Sequence, residues 1–143
     1  YRPDDMTEFL DNIALPRQGG PKPILAILRD GSPIGLAECC GQSVTEVPLR
    51  NASDLGYWLG EPYWAQGYAA EAISALIDRV FAQPEAGVIR SAVFEGNTSS
   101  LNLQQKLGFE IIGNATMHCR PQGREVSLIC TRLTRTRYAT LGR

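Results

Sequence analysis

Between positions 69 and 80 the apolar residues Ala69, Ala72, Ile73, Leu76, Ile77 and Val80 follow an i, i+3, i+4, i+7, i+8, i+11 spacing. That is one stripe of helical period, and it predicts a helix running on to Phe81. Just upstream, Leu55, Tyr57, Trp58 and Leu59 make residues 54–59 a strand, with Gly56 as its one breaker. Gly60, Glu61 and Pro62 form a short loop between the two. Earlier, the apolar runs 24–29 and 33–40 flank Asp30-Gly31-Ser32 and read as a hairpin. The polar interval 41–53 is a turn. Downstream, the branched residues of 88–94 predict a strand. Asn97 to Ser99 can cap a second helix that stops at Gly108. Residues 109–113 and 125–133 read as a closing strand pair, with 114–124 partly strand and partly loop. At the start, Asp4 or Asp5 would cap a helix whose apolar face is Met6, Phe9, Leu10 and Ile13, followed by a Pro/Gly loop over 16–23. The tail 132–143 is arginine-bearing and poor in apolar residues, which reads as a frayed, solvated end. The order is helix, three strands, helix, strand, helix, two strands. It predicts an α+β fold: a mixed, mostly antiparallel sheet with helices on both faces.

Composition narrows the picture without changing it. The 143 residues suit a single domain, 1–143, with a real core. The net charge of −1, from 14 basic and 15 acidic residues, gives no nucleic-acid footprint. No apolar run approaches the roughly 18 residues of a membrane span, and no signal-peptide pattern is present. The four cysteines, Cys39, Cys40, Cys119 and Cys130, lack C-x-x-C spacing and read as reduced, buried thiols, in keeping with a cytoplasmic protein. No metal-ligand pattern stands out.

The chemistry is concentrated where the 54–59 strand feeds the long helix. A strand that delivers small residues to a helix N-terminus leaves free N–H groups and the positive end of the helix dipole facing one space. Gly67 has no side chain and Ala69 and Ala70 have little, so a pyrophosphate could approach the backbone there. Neither G-x-x-x-x-G-K-[ST] nor G-x-G-x-x-G is present. Taken alone, the turn could equally be an ordinary strand–loop–helix unit whose small residues allow close packing.

A second stretch, Asn97-Thr98-Ser99-Ser100 followed by Lys106-Leu107-Gly108-Phe109, changes the balance. Together with Gly56-Tyr57-Trp58-Leu59 and the run from Trp64 to Ala72 (WAQGYAAEA), it resembles the GNAT superfamily of acyl-CoA-dependent N-acyltransferases. Within that superfamily it is most similar to the RimJ/RimL-like branch, which acetylates protein N-termini and other amines. The resemblance spans about residues 30–109. It implies a GNAT-like fold in which the chain lacks the family's first strand, or keeps only part of it at Tyr1. It also implies that the 54 and 88 strands are parallel neighbours that splay apart to admit the pantetheine arm. Acetyl-CoA is then the cosubstrate, held by Tyr57, Trp58 and Leu59 along the strand and by Trp64, Ala65, Gln66, Gly67, Tyr68, Ala69 and Ala70 at the pyrophosphate turn. Asn97 and Ser100 are expected beside the thioester. The acceptor is an amine, on a protein N-terminus or a small molecule, and the chain is expected to be a monomer or homodimer without nucleic-acid or membrane partners.

For catalysis the resemblance offers Asp54, Asn97 and Ser100. Asp54 matches the family's acidic residue two before Gly-Tyr and could take an amine proton through water; Glu38, Glu61 and Glu95 are alternatives. Many members carry a tyrosine acid where Gln104 stands here. Gln cannot donate a proton to a thiolate, which leaves Ser100 as donor. Plain helix capping is the other reading of Asn97 and Ser100. Glu71 suits the helix dipole, and His118 reads as a strand or loop residue. Acceptor contacts are expected in 10–23, 41–53 and 114–124. The rival functions are a non-catalytic acyl-CoA-binding module and a binding domain for another phosphate.

Overall fold

The computed structural model describes residues 24–41, 54–119 and 123–142. The predicted N-terminal helix, the 16–23 loop and nearly all of the 41–53 turn lie outside the described residues, as does the side chain of His118.

Strands β1 (Ile24–Arg29) and β2 (Ser32–Cys39) form the expected hairpin. Asp30 and Gly31 both take positive φ, 50° and 82°, the backbone that a two-residue turn between right-twisted strands requires. β2 then pairs antiparallel with β3 (Leu55–Leu59), from Gly35 opposite Leu59 to Cys39 opposite Leu55. A 3-10 turn at Glu61–Tyr63 leads to α1 (Tyr68–Phe81). The helical stripe does what its period predicts: Ile73, Leu76, Ile77, Val80 and Phe81 are buried. β4 (Val88–Phe94), α2 (Thr98–Lys106), β5 (Glu110–Cys119) and β6 (Arg124–Thr134) follow. β6 is the central strand of a second antiparallel sheet, with β4 on one side and β5 on the other.

Two differences from expectation have clear physical causes. The closing strands are longer than the apolar runs alone suggest, because pairing continues through Asn114–Ile129 to Cys119–Arg124. Cross-strand pairing sustains a ladder where one strand's own composition does not. The tail is not frayed: Arg135–Ala139 forms α3. Tyr138 stacks on Phe81 at 4.6 Å between ring centroids and its hydroxyl donates to Asp78 Oδ1 at 2.7 Å. Arg135 Nε donates to Ala86 O at 2.8 Å, and Arg137 Nε to Gly108 O. These side chains lay their stems over apolar surface and bring their charged ends to carbonyls left over at loops.

The sheet parts between the 54 and 88 strands, as the resemblance implies, into two three-stranded pieces. Among the described residues the two pieces meet at one end. Asp54 N–H donates to Arg90 O at 2.9 Å and Ser91 Oγ donates to Leu55 O at 3.0 Å. The contacts advance in the same sense along both strands, so β3 and β4 run parallel. α1, α2 and α3 draw on one core centred on Ile73, Ile77, Ile89, Phe109 and Leu133. Among the described residues no helix is long and apolar enough to cross a membrane, and no group of three or more His, Cys, Asp or Glu could hold a metal ion.

Candidate active site

Beyond Leu55 and Ser91 the strands β3 and β4 part, and a cleft of about 570 Å³ opens between them. Its walls are the end of β3, the N-terminal turn of α1 and the N-terminal turn of α2. The phase of the β2–β3 ladder decides which backbone groups face it. Gly60 N–H donates to Ile34 O at 2.8 Å and Cys40 N–H to Asp54 O at 3.0 Å. The even-numbered residues of β3 therefore turn their backbone toward β2. Tyr57 and Leu59 turn theirs to the opposite edge.

The turn into α1 is built on unusual backbone. Ala65 sits at φ 58° and Gly67 at φ 84°, both left-handed. A methyl group at Gly67 would meet nothing within 4 Å. Its glycine character therefore answers to the backbone angle and to whatever enters the cleft, not to a neighbouring residue. Glu71 N–H closes the first helical bond on Gly67 O at 3.1 Å. The N–H groups of Tyr68, Ala69 and Ala70 precede it and have no acceptor inside the helix. All three residues line the cleft. Trp64 Nε1 donates to Leu59 O at 2.7 Å, tying the loop back to β3, while 56% of Trp64 stays exposed. Gln66 Nε2 donates to Pro62 O at 2.8 Å.

On the facing wall, Asn97 caps α2 by accepting Ser100 N–H at 3.3 Å. Ser100 Oγ lies 2.5 Å from the Tyr57 hydroxyl. Burial pushes the Tyr57 phenol above the usual tyrosine value, against the opposing pull of hydrogen bonds to Ser100 and Gln104. Behind them Gln104 is 1% exposed; its Nε2 donates to Ser91 Oγ at 3.0 Å and its Oε1 accepts from Thr131 Oγ1 at 2.6 Å.

A family profile described as an acetyltransferase (GNAT) domain matches residues 1–110. The chain belongs to the GNAT acetyltransferases. It is an acyltransferase. It is 28% identical over 135 residues to the uncharacterised N-acetyltransferase p20 of Bacillus licheniformis, covering 94% of this chain and 73% of that protein. Its fold matches a ribosomal-protein-alanine N-acetyltransferase of Brucella melitensis, with a TM-score of 0.64 and 20% identity over 94% of this chain and 79% of that one. It also matches the microcin self-immunity acetyltransferase MccE, solved with acetyl-CoA and AMP, with a TM-score of 0.68 and 18% identity over 94% of this chain and 72% of that one.

In this GNAT chain the cleft gathers Tyr57, Trp58, Leu59, Trp64, Ala65, Gly67, Tyr68, Ala69, Ala70, Asn97 and Ser100. Gln66 is the exception among the cofactor residues expected from sequence, since its amide is turned back to Pro62. Tyr63, Ser99 and Leu103 also line the cleft, and sequence reasoning missed them. Leu103 was legible as one helical turn beyond Ser99 and Ser100; Tyr63 carried no signal of its own.

Asp54 requires a correction. It is 2% exposed and does not line the cleft. Its Oδ2 accepts from Arg90 N–H and Nε, both at 2.9 Å, and its Oδ1 accepts from Arg90 Nη2 at 3.2 Å and Cys40 Sγ at 3.7 Å. A carboxylate so fully engaged, at the closed end of the strand pair, holds the two sheets together and has no access to an acceptor amine. Glu38, Glu61 and Glu95 do not line the cleft either. Among the described residues the cleft presents hydroxyls, an amide and backbone, with no carboxylate and no imidazole.

Proposed function

We propose that this GNAT chain is an N-acetyltransferase that moves the acetyl group of acetyl-CoA to a primary amine, by direct attack of the amine on the thioester. The carrying observation is the left-handed Gly67 turn at the start of α1, open into a cleft where β3 and β4 have parted. The site fits acetyl-CoA. Three first-turn N–H groups and the helix dipole suit a pyrophosphate, and the edge of β3 at Tyr57 and Leu59 suits the amides of a pantetheine arm. Trp64 adds an apolar wall and no charge, so anion binding rests on backbone donors. Acetyl-CoA supplies the activated acyl group. The chain supplies position and polarity: the turn fixes one end of the cosubstrate, and Ser100 at the N-terminus of α2 presents a hydroxyl where negative charge develops on sulfur. Asn97 holds Ser100 in place as the cap. The amine loses its proton to water, because the described cleft offers no side-chain base.

The acceptor we favour is the N-terminus of a protein, as in the RimJ/RimL-like branch. The likeness to a ribosomal-protein-alanine N-acetyltransferase supports that choice, and a small-molecule amine is the other class to test. Thiol release from acetyl-CoA over a panel of N-terminal peptides, polyamines and amino sugars tests the reading. Turnover with a peptide N-terminus is expected. Turnover confined to small amines would overturn the acceptor, and no release with any amine would overturn the reaction.

A further inference from the structure

Gln104 stands where many members of the family carry a tyrosine, yet the cleft does contain a phenol beside the α2 N-terminus. It comes from β3: the Tyr57 hydroxyl lies 2.5 Å from Ser100 Oγ. Which of the two donates follows from the buried groups behind them. Thr131 Oγ1 has one proton and two neighbours, Gln104 Oε1 at 2.6 Å and Ser91 O at 3.4 Å, and the shorter contact takes it. That fixes the Gln104 amide with its oxygen toward Thr131. Its nitrogen donates to Ser91 Oγ at 3.0 Å, and Ser91 passes its own proton to Leu55 O at 3.0 Å. The second amide proton of Gln104 is left for the Tyr57 oxygen, in keeping with the downward pull Gln104 exerts on the Tyr57 phenol against burial. A phenol oxygen that accepts from an amide directs its own proton outward, where Ser100 Oγ at 2.5 Å and Ser100 O at 3.4 Å are the acceptors, and the shorter contact takes it. The Ser100 proton is then left over, on a residue that lines the cleft.

We propose that Tyr57 is a positioning residue that turns the Ser100 hydroxyl proton toward the leaving sulfur of the acyl donor. The proposal rests on the acetyl-CoA reading above. As the C–N bond forms and the C–S bond breaks, the electron pair goes to sulfur and the amine's surplus proton goes to water. The thiolate leaves held by the Ser100 hydroxyl and takes a proton from solvent. Donation from Tyr57 into Ser100 Oγ makes that hydroxyl a stronger donor, as chained hydrogen bonds do. Gln104 is thereby given a task without being an acid: it sets the direction of the chain from inside the core. The other titratable groups among the described lining residues are the phenols of Tyr63 and Tyr68.

A binding measurement separates this from the reaction itself. A site that offers a donor to sulfur prefers the thiolate, so CoA affinity should climb as pH passes the thiol pKa. Desulfo-CoA, which lacks the sulfur, subtracts the titration of the phosphates. By calorimetry the wild type should gain roughly tenfold in affinity for CoA relative to desulfo-CoA, the size expected of one hydrogen bond to a charged group. Tyr57→Phe and Ser100→Ala should each lose most of that gain while binding desulfo-CoA normally, and Ser100→Thr should retain it. The kcat of each losing variant should fall with little change in KM for acetyl-CoA, and the double variant should be no worse than the poorer single. Failure of the wild type to bind CoA would overturn the acetyl-CoA reading. Binding without a pH-dependent gain, or a Tyr57→Phe protein that keeps the gain, would overturn the role of Tyr57 alone. Thermal melts accompany each variant. Should Tyr57→Phe not fold, isotope-labelled tyrosine in the wild type gives the same answer: one phenol resonance should follow ionisation of bound CoA thiol and ignore desulfo-CoA, and its failure to do so would overturn the assignment.

Discussion

Replacing Asp54 by Asn tests the reassignment of that residue from chemistry to architecture. The change keeps shape and one acceptor oxygen, but it removes the charge that faces Arg90. Both side chains are almost wholly enclosed, with 7% of the Arg90 side chain and 3% of the Asp54 side chain accessible. Arg90 Nη1 already lacks a hydrogen-bond partner. After the substitution Arg90 keeps its charge in a low-dielectric place with a neutral neighbour. At least one of its former donors then meets the Asn amide nitrogen. Removing one partner of a buried ion pair costs about 3–5 kcal/mol, and the isosteric amide should sit toward the low end, about 3 kcal/mol. Against a total stability of roughly 5–15 kcal/mol that is a large fraction. Urea denaturation should show the midpoint falling with little change in slope, and turnover per folded molecule should be unchanged. Arg90→Gln in the Asp54→Asn background should recover part of the loss, since it removes the stranded charge. The reasoning fails if Asp54→Asn keeps wild-type stability. It also fails if stability holds while kcat falls and the pH–rate profile shifts, which would return Asp54 to the role of base.

Gly67→Val puts a branched side chain on a backbone at φ 84° and into the mouth of the cleft; calorimetry should find CoA binding abolished in a protein that still folds, and unchanged affinity would refute the pyrophosphate site. Ala65→Gly should raise the melting temperature, because relief of a left-handed residue, about 1–2 kcal/mol, outweighs the roughly 0.5–1 kcal/mol entropic cost of glycine; a lower melting temperature would count against it. Asn97→Ala should cost about 1 kcal/mol of stability in a melt, and Asn97→Asp should restore it, because the side chain caps Ser100 N–H. The raised Tyr57 pKa makes the folded state hold its phenol proton more tightly than the unfolded chain does. Its contribution to stability is therefore complete below the ordinary tyrosine value of 10.0 and lost as pH rises through the higher folded value. Alkaline unfolding should begin above about pH 10 and be weaker in Tyr57→Phe.

The parts of the site that sequence revealed are those made by consecutive residues. The turn from Trp64 to Ala70 works through small side chains and backbone angles, and both are written locally. So is the Asn97 cap. Asp54 was misjudged because its partner is Arg90, which is 36 positions away; composition around position 54 carries no trace of that pairing. Tyr57 was read for its backbone, as a strand residue, whereas its side chain crosses to α2 and meets Ser100, which is 43 positions on. Gln104 read as a missing acid because nothing in a helix of weak apolar pattern says that one amide is buried among Ser91 and Thr131. The tail misled for the opposite reason. Its arginines signal solvent, yet each needs only a loop carbonyl and some apolar cover, and the fold supplies both.

The two sheets are joined at Asp54–Arg90 and Leu55–Ser91 and then diverge, which makes the seam behave as a zip stopped partway. From Leu55 to Leu59 is roughly 13 Å at a strand's rise per residue, so a tilt of about 5° at the clasp moves the far end by about 1 Å. The angle at the clasp therefore sets the width at the mouth. The Tyr57–Ser100 contact is the rung that spans the gap among the described side chains. Whatever lies between β3 and β4 meets that rung, and directly behind it stands Gln104, bonded to Ser91 and Thr131 in the buried middle of the second sheet.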